Sequence, residues 1–398
     1  AELYPGRDQN AIKTRILEQM DKAGLDALIL TAPHDIFYAT GHCSRNVYRS
    51  GRVGASAAVV NKSGKVGLVI SEFEKAVAEK ACSKDITLYT YPVWIYIEDL
   101  AVEGMKKETQ PDLNKTWKMA CELLDNEKPG MKIGIANKWT SMEEADFLWN
   151  HFGRENVVDC TKALNEARTI KTPWEIEVLR RNAKAAERAM YLTMRATLPG
   201  MTPADIHYLF HHYCLEQSPQ MTSLSQAHTF GSTYTPAWIP DDMRLDVGDL
   251  VRLDGGPYAD GYKSDLARTY AVGGRTLPER EALYAELYKG YEYAKAHIGP
   301  GVRFCDVFEG VNNTIHIPGY VRGHFGHSIS CDITGEEAPF IGPKETRTFE
   351  PGMVLCIEYP FYSSRRQTYN IEDEILITEY GIEMFTTTPD SLTLYPQL

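Results

Sequence analysis

The sequence predicts an α+β protein of two domains, a smaller α/β domain over residues 1–160 and a larger domain over residues 161–398. A chain of 398 residues is long for one domain and comfortable for two. Helix-period and strand-like stretches alternate before residue 160. After it, long helices come first and strands follow. Such a change of pattern indicates a change of architecture.

The N-terminal stretches follow the order expected of a sheet covered by helices. Helices are predicted at 11–23, 72–82 and 114–125, and strands at 25–31, 53–60, 65–70, 86–91 and 132–136. Gly24 breaks the first helix, and Asn61-Lys-Ser-Gly64 predicts a hairpin turn between the second and third strands.

Two helix-capping signals mark the start of the C-terminal domain. Thr172-Pro173-Trp174-Glu175 combines a threonine cap, a proline in the first turn and a glutamate placed to return the hydrogen bond. Thr202-Pro203-Ala204-Asp205 repeats most of that pattern. We therefore expect two long helices here and a third at about 277–297, with strands interleaved after it.

Composition excludes several classes of partner. A net charge of −12 and the lack of a basic patch argue against nucleic acid. No apolar run approaches the roughly 18 to 20 residues that span a bilayer, so no membrane partner is expected. The eight cysteines are spread far apart without a Cys-x-x-Cys pair, which predicts reduced thiols and a cytoplasmic protein.

Acidic residues recur beside strand-like or glycine-rich stretches between 254 and 372. The residues that carry the candidate chemistry are Asp254, Asp265, His327, Glu358 and Glu372. Four carboxylates brought together repel one another unless they protonate or bind cations. Two divalent ions would balance them, and oxygen-rich ligands with one imidazole suit Mn, Fe, Co or Zn. The alternative is a scatter of surface acids, since the chain holds 54 of them.

Local geometry supports convergence of the first two acids. Side chains alternate along a strand, so Asp254 shares a face with Arg252 and Gly256. A hairpin around Asp260-Gly261 would place Asp254 and Asp265 on one face of adjoining strands.

The order of these residues resembles a metallopeptidase family that includes methionine aminopeptidase, aminopeptidase P, prolidase and the metal-free creatinase. The likeness extends to the helix beginning near Arg168-Thr-Ile-Lys171 and to the strand Glu350-Pro-Gly-Met-Val-Leu-Cys-Ile-Glu358. It implies a pita-bread C-terminal domain, in which helices lie outside a curved antiparallel sheet. It also implies a creatinase-type N-terminal domain that helps to form a homodimer and reaches over the active site.

The resemblance also implies a role for each ligand. Asp254 would hold one metal ion, His327 and Glu358 would hold a second, and Asp265 and Glu372 would bridge both. Glu374 shares a strand face with Glu372 and replaces it if the predicted register is wrong.

The sequence departs from the family pattern in the residues that handle a peptide. The region 234–240 lacks the histidine that precedes the first metal-binding strand, and a second family histidine falls on Thr334. Asn370 stands where an arginine usually precedes Ile-Glu-Asp. These losses favour a small, polar substrate over a proline-containing peptide.

Other residues are then candidates for proton transfer. His228, in the segment before the site, is the first choice because histidine titrates near neutrality; a structural, hydrogen-bonded histidine is the equal alternative. His324 is expected to line the same cleft. Asp332 follows His327 closely and is a candidate base, against the alternative of a solvated loop acid.

A further set of residues is predicted to bind substrate. Tyr234, Trp238 and Tyr362 lie near the predicted site, and the tyrosines would orient a carbonyl or an oxyanion. Arg52, in Ser50-Gly51-Arg52, resembles an arginine that in creatinase reaches into the partner subunit's site and clamps a carboxylate. Tyr38 would add an aromatic wall for a cationic group.

Three hypotheses about function remain open on the sequence. The first is a dinuclear metallohydrolase that cleaves a C–N bond in a small polar substrate or an Xaa-Pro-type dipeptide. The second is a metal-dependent lyase acting on a small zwitterionic acid such as dimethylsulfoniopropionate, with Asp332 as base. The third is a binding protein that has lost catalysis, against which the retention of all five ligands counts.

Overall fold

The computed structural model of the protein describes residues 6–44, 54–91, 113–230, 233–235, 243–333, 336–362 and 368–393. Of residues 113–115, 225–230 and 233–235 only the backbone is described. The chain divides into two compact units, one from Arg7 to Arg168 and the other from Thr169 onward. The division therefore falls slightly later than the predicted boundary after Cys160.

The N-terminal unit is built on a mixed sheet. Its strands are β1 (Ala27–Leu30), β2 (Ala57–Asn61), β3 (Val66–Ser71), β4 (Thr87–Tyr91), β5 (Ile133–Ile135) and β6 (Val157–Asp159). They lie in the order β4-β3-β2-β1-β5-β6. The β2–β3 pair is antiparallel, as the turn at Asn61–Gly64 predicted, and the outer pairs are parallel.

Helices complete this unit. They are α1 (Gln9–Lys22), α2 (Pro33–Thr40), α3 (Lys75–Ala81), α4 (Leu113–Glu122), α5 (Met142–Phe152) and α6 (Thr161–Thr169). Helices α2, α5 and α6 were not predicted from the sequence, although Ser141 and Glu144 form a capping box at the start of α5. Asp35 links α6 to the rest of this unit through a 2.6 Å ion pair with Arg168.

The C-terminal unit opens with the two helices that capping predicted. The helices of this unit are α7 (Pro173–Ala196), α8 (Pro203–Gln217), α9 (Pro278–His297) and α10 (Phe304–Thr314). Reciprocal capping boxes are present at Thr172/Glu175 and Thr202/Asp205, so local side-chain chemistry sets both starts.

Antiparallel strands form the sheet of this unit. They are β7 (Ser223–Phe230), β8 (Thr233–Thr235), β9 (Leu250–Tyr258), β10 (Leu266–Ala271), β11 (Gly326–Ser328), β12 (Glu337–Phe340), β13 (Val354–Glu358), β14 (Glu372–Ile377) and β15 (Ile382–Met384). Within the described residues their order is β12-β11-β13-β14-β10-β9-β7-β8, with β15 also paired to β14. Helix α7 packs against β9, β10 and β14.

The helix-covered side of the sheet holds an apolar core. Among its buried residues are Tyr284, Tyr291, Phe304, Phe349 and Ile375. Because side chains alternate along each strand, the opposite side of the central strands is left for polar residues. The described helices include none long and apolar enough to cross a lipid bilayer.

Candidate metal centre

Three acids meet where β9, β10 and β14 lie side by side. Ala267 in β10 pairs with Asp254 on one neighbour and with Glu372 on the other. Directly paired residues share a face and neighbouring strands are about 4.8 Å apart. The small alanine therefore leaves the two carboxylates facing each other, and Asp265 lies two residues along the same face. Oxygens of the three acids lie within 4.8 Å of one another.

His327 extends this cluster from β11. Its Nδ1 lies 2.9 Å from the carbonyl oxygen of Ser328, and since a carbonyl only accepts, Nδ1 carries the proton. Nε2 is thereby left with its lone pair, 3.7 Å from Glu372 Oε1. Cys356 also lies within 4.8 Å of this pair, but burial raises the pKa of its thiol well above the ordinary value. The thiol donates to the carbonyl of Asp265, as a packed core cysteine would.

Glu358 forms a second group with different neighbours. It is paired across the strands with Glu372, yet its Oε1 lies 3.2 Å from Arg322 Nη2 and 3.2 Å from His324 Nδ1. His324 Nε2 lies 3.3 Å from Glu336 Oε2. The predicted catalytic residue His324 thus lies between a buried predicted ligand and a half-exposed acid.

Two buried bases contact the predicted ligands. Arg252 Nη1 donates to Asp254 Oδ2 at 2.6 Å, and Lys263 Nζ donates to Asp265 Oδ2 at 3.2 Å. Both bases are almost fully buried, with 1% and 3% exposure. Ordinary alternation already placed Arg252 on the face of Asp254, but nothing local indicated the contact of Arg322 with Glu358, 36 positions along the chain.

Amide groups of two residues, one just before β14 and one just before β10, donate to acids on this face. Asn370 Nδ2 lies 3.3 Å from Asp254 Oδ2 and 3.2 Å from Glu372 Oε2. The backbone N–H of Asp265 donates to Glu374 Oε1 at 2.9 Å. Glu374 lies on the same face as Glu372, as predicted, and in the structure it supports Asp265 through the main chain.

Burial shifts these carboxyl groups toward the protonated form. Burial raises the pKa of Asp254 to about 7, although Arg252 opposes the shift. Burial, followed by the nearby charges of Asp265 and Asp254, raises the pKa of Glu372 well above its ordinary value. Burial also raises the pKa of Glu358. Without a cation, the cluster must therefore retain protons near neutral pH.

The donor set fits a divalent cation. Two buried atoms of the cluster have no hydrogen-bond partner among the described residues, namely Asn370 Oδ1 and Glu374 Oε2. Buried polar atoms are ordinarily satisfied, and a bound ion is one explanation of an exception. Carboxylate oxygens and a neutral imidazole with a free Nε2 are ligands suited to Mn, Fe, Co or Zn.

Some predicted residues lie elsewhere or beyond what is described. Arg52, Trp238 and Thr334 are outside the described residues. His228 and Tyr234 lie in the paired strands β7 and β8, and only their backbones are described. Their predicted roles therefore stay predictions.

Three further candidates are placed by the structure. Tyr38 is fully buried and its hydroxyl donates to the Ala167 carbonyl at 2.7 Å, so it packs in the N-terminal core and presents no aromatic wall. Tyr362 is 55% exposed, with its hydroxyl 3.5 Å from Arg252 Nη1. Asp332 is 9% exposed. It belongs to none of the groups of possible metal ligands found among the described residues, which are Asp254, Asp265 and Glu372; His327, Cys356 and Glu372; and His324, Glu336 and Glu358.

A two-domain chain with carboxylates and one imidazole converging on an antiparallel sheet has the fold and donor set of a metal-binding enzyme. Comparison with known proteins identifies its class. Residues 177–379 match metallopeptidase family M24, and residues 13–170 match the creatinase/prolidase N-terminal domain.

Individual relatives share less than a third of their aligned residues with this chain. An Xaa-Pro dipeptidase from Pyrococcus furiosus is 27% identical over 308 residues, which are 75% of this chain and 85% of that protein. The uncharacterized peptidase YqhT from Bacillus subtilis is 29% identical over 241 residues, 60% of this chain and 68% of the relative. The solved structure of an Xaa-Pro dipeptidase from Bacillus anthracis superposes with a TM-score of 0.76 at 22% identity, covering 97% of this chain and 99% of that one.

The chain belongs to metallopeptidase family M24. It has the two-domain creatinase/prolidase fold with a pita-bread C-terminal domain, as the sequence predicted, and it is a hydrolase.

Proposed function

We propose that this hydrolase uses divalent metal to cleave a C–N bond in a dipeptide or a small polar amide. The observation that carries the proposal is the convergence of Asp254, Asp265 and Glu372 within 4.8 Å, with His327 Nε2 directed at Glu372. The resemblance implies two ions, with Glu358 as a further ligand, and the proposal requires at least one. Mn, Fe, Co and Zn all suit this donor set.

A divalent ion bound there would acidify a water molecule and polarise the carbonyl under attack. The chain's own residues keep the ligands in place. Nδ1–H of His327 is anchored on the Ser328 carbonyl, which holds the ring in the tautomer that a metal needs. Lys263 and Arg252 hold Asp265 and Asp254 through charge-assisted hydrogen bonds.

His324 is the predicted proton-transfer residue that the geometry supports best. Its Nε2 faces Glu336, and the hydrogen bond from His324 lowers the pKa of Glu336 to about 2. Glu336 therefore stays ionised and accepts from Nε2, while Nδ1 faces Glu358. His228 remains a second candidate. The lyase hypothesis depends on Asp332 as a base. We favour hydrolysis because residues 177–379 match a metallopeptidase family.

The proposed substrate is a dipeptide or another small polar amide. Relatives named Xaa-Pro dipeptidases favour dipeptides, whereas the missing histidine in 234–240 favours other small polar molecules. Arg52, Tyr234, Trp238 and Tyr362 are the proposed substrate-binding residues. Of these, Tyr362 is exposed and close to Arg252.

Two further features belong to the proposal. A homodimer would let Arg52 of one subunit act in the site of the other, as the resemblance implies. A cytoplasmic location suits the cysteines, all eight of which are free thiols, because disulfides are rare in reducing compartments.

The test begins with metal content and hydrolysis. The purified protein is dialysed against Mn²⁺ and its metal is measured by mass spectrometry. It is then incubated with Xaa-Pro dipeptides, other dipeptides and a small amide, with products identified by chromatography. Metal binding with hydrolysis of any of these supports the proposal. Absence of metal binding, or an elimination product from a sulfonium or betaine acid without any hydrolysis, contradicts it.

A matched pair of variants locates the chemistry. Asp265→Asn is expected to abolish both metal binding and hydrolysis. Asp260→Asn is the control, because Asp260 lies in the same hairpin with a positive φ of 52° that asparagine also tolerates. Equal losses from the two changes would show that the hairpin, rather than the Asp265 carboxylate, is what matters.

A further inference from the structure

Two parallel rows of side chains cross the central strands on the polar face. The first row is Asp254, Ala267 and Glu372. The second lies two residues away: Arg252 is paired with Thr269, and Thr269 exchanges hydrogen bonds with the backbone of Asn370 at 2.9 and 3.1 Å. Positions 252 and 370 therefore flank Thr269, and each lies beside a predicted ligand.

Side chains from both flanking positions reach the same oxygen. Asp254 Oδ2 accepts from Arg252 Nη1 at 2.6 Å and from Asn370 Nδ2 at 3.3 Å. Asn370 Nδ2 is also 3.2 Å from Glu372 Oε2. None of these hydrogen bonds uses Asp254 Oδ1 or Glu372 Oε1, so one oxygen of each carboxylate is held and the other takes no part in them. Glu372 Oε1 lies 3.7 Å from His327 Nε2.

The family resemblance implies an arginine at position 370, where this chain has asparagine, and the structure places an arginine across the row at position 252. We propose that Arg252 supplies the guanidinium expected at position 370, and that Arg252 with Asn370 positions Asp254 and Glu372 for metal binding. This inference rests on the proposed function, in which these acids hold a divalent cation. Thr269 is short, so a guanidinium from either side of it can reach Asp254.

Burial explains why this contact matters. Arg252 is 1% exposed, so its charge is poorly screened by water and its hydrogen bond to Asp254 is strong. An arginine also keeps its charge at every physiological pH. Residues that fix a ligand's orientation in this way typically change metal affinity about 10- to 100-fold when replaced. Arg252 and Asn370 are therefore positioning residues, which act through the two carboxylates.

Exchanging the two side chains tests the inference. The variants are Arg252→Asn, Asn370→Arg and the double variant that carries both changes. Mn²⁺ affinity is measured by calorimetry, and the Mn²⁺ environment by electron paramagnetic resonance. We expect Arg252→Asn to weaken Mn²⁺ binding about 10- to 100-fold. The double variant is expected to regain most of the lost affinity together with the wild-type spectrum, a rescue that a purely structural arginine would not give.

Controls separate the possible failures. Arg180→Asn removes a guanidinium that pairs with Glu383 on the surface of the same unit and is expected to leave Mn²⁺ affinity unchanged. If an Arg252→Asn chain does not fold, Arg252→Met fills the same space without donors and must show the same loss of affinity.

Wild-type affinity in Arg252→Asn or Arg252→Met, or a folded double variant no better than Arg252→Asn, overturns the inference and leaves the proposed function standing. A wild-type protein that binds no Mn²⁺ at all overturns the proposed function and this inference with it.

Discussion

Strand β14 carries three consecutive acids, and its two faces treat them differently. Asp373 faces the helices. Its carboxylate accepts hydrogen bonds from Arg268 Nη2, the Tyr291 hydroxyl, the Thr386 hydroxyl, and both the backbone N–H and the hydroxyl of Thr388. On the other face, the carboxylate of Glu372 accepts a described hydrogen bond from the Asn370 side chain, and the carboxylate of Glu374 accepts one from the backbone N–H of Asp265.

All three acids are equally buried, with 0–3% exposure, so burial does not distinguish them. The number of hydrogen-bond donors around each carboxylate distinguishes them. Asp373 has a buried cation and several hydroxyl donors, so its charge is satisfied inside the protein. Glu372 lies among other acids, and burial raises its pKa well above the ordinary value. On β14, the acid whose two carboxylate oxygens are both satisfied stabilises the fold, whereas the acid with few donors faces the proposed cation site.

The largest expected effect comes from the satisfied face. Asp373→Asn breaks the buried ion pair with Arg268, which keeps Glu187 as its other acid partner at 3.1 Å. The expected cost to the free energy of unfolding therefore lies at the lower end of the about 3–5 kcal/mol typical of breaking a buried pair. Urea unfolding of the metal-free protein measures the loss. Mn²⁺ affinity of the folded protein should change little, since Asp373 points away from the cluster. An unchanged unfolding midpoint would contradict the claim that Asp373 stabilises the fold.

Glu372→Gln probes the opposite face and should reverse the pattern. Mn²⁺ affinity is expected to fall more than about 100-fold, because even replacing an outer partner of a ligand costs 10- to 100-fold. The metal-free protein should not lose stability, since the raised pKa of Glu372 keeps that carboxyl protonated without a cation and glutamine is a neutral side chain of the same shape. Calorimetry and urea unfolding report the two effects. Glu383→Gln on the neighbouring β15 is the matched control, with its carboxylate 44% exposed. A Glu372→Gln protein that is destabilised but binds Mn²⁺ as wild type does would show that Glu372 stabilises the fold and does not bind metal.

The dependence on pH sharpens the comparison further. In the folded, metal-free protein burial raises the pKa of Asp254 to about 7, although Arg252 opposes the shift, while an unfolded aspartate titrates near about 3.9. Between these values the folded state binds more protons than the unfolded state. The contribution of Asp254 to the free energy of unfolding of the metal-free protein must therefore fall as pH rises from about 4 to 7. Mn²⁺ affinity should rise over the same range, because fewer protons are displaced.

Thermal unfolding of metal-free protein across this range, beside Asp254→Asn, measures that dependence. The other charged groups that act on Asp254 are Asp265 and Glu358, and both remain in the variant. The decline with pH should be smaller in Asp254→Asn than in wild type. Parallel curves for the two proteins would mean that Asp254 does not hold its proton in the folded state.

The sequence predicted those parts of the molecule that local chemistry determines. Capping residues at Thr172 and Thr202 predicted the starts of α7 and α8, and the turn at Asn61–Gly64 predicted the β2–β3 hairpin. Helix α5 carries a similar signal at Ser141 and was missed. The order of acids and histidine led to the family, which the comparisons show.

Contacts between distant strands could not be predicted in the same way. Arg252 lies two residues from Asp254 in the same strand, so alternation alone placed it on the same face. The meeting of Arg322, His324 and Glu336 around Glu358 depends on how β11, β12 and β13 pair. The shared contact of Arg252 and Asn370 with Asp254 depends on β10 lying between β9 and β14. Pairing of this kind is set by the whole sheet.

The smallest expected effect concerns Glu374, which tests the register of β14. In the structure Glu374 Oε1 accepts the backbone N–H of Asp265 at 2.9 Å. A glutamine keeps an oxygen in that position, so Glu374→Gln should change the free energy of unfolding by no more than about 1 kcal/mol and leave Mn²⁺ binding nearly intact. Glu374→Ala removes the acceptor and strands a buried N–H, at a cost of about 1–3 kcal/mol. If Glu374→Gln instead loses metal as completely as Glu372→Gln, then Glu374 is itself a metal ligand as well as an acceptor for the Asp265 N–H.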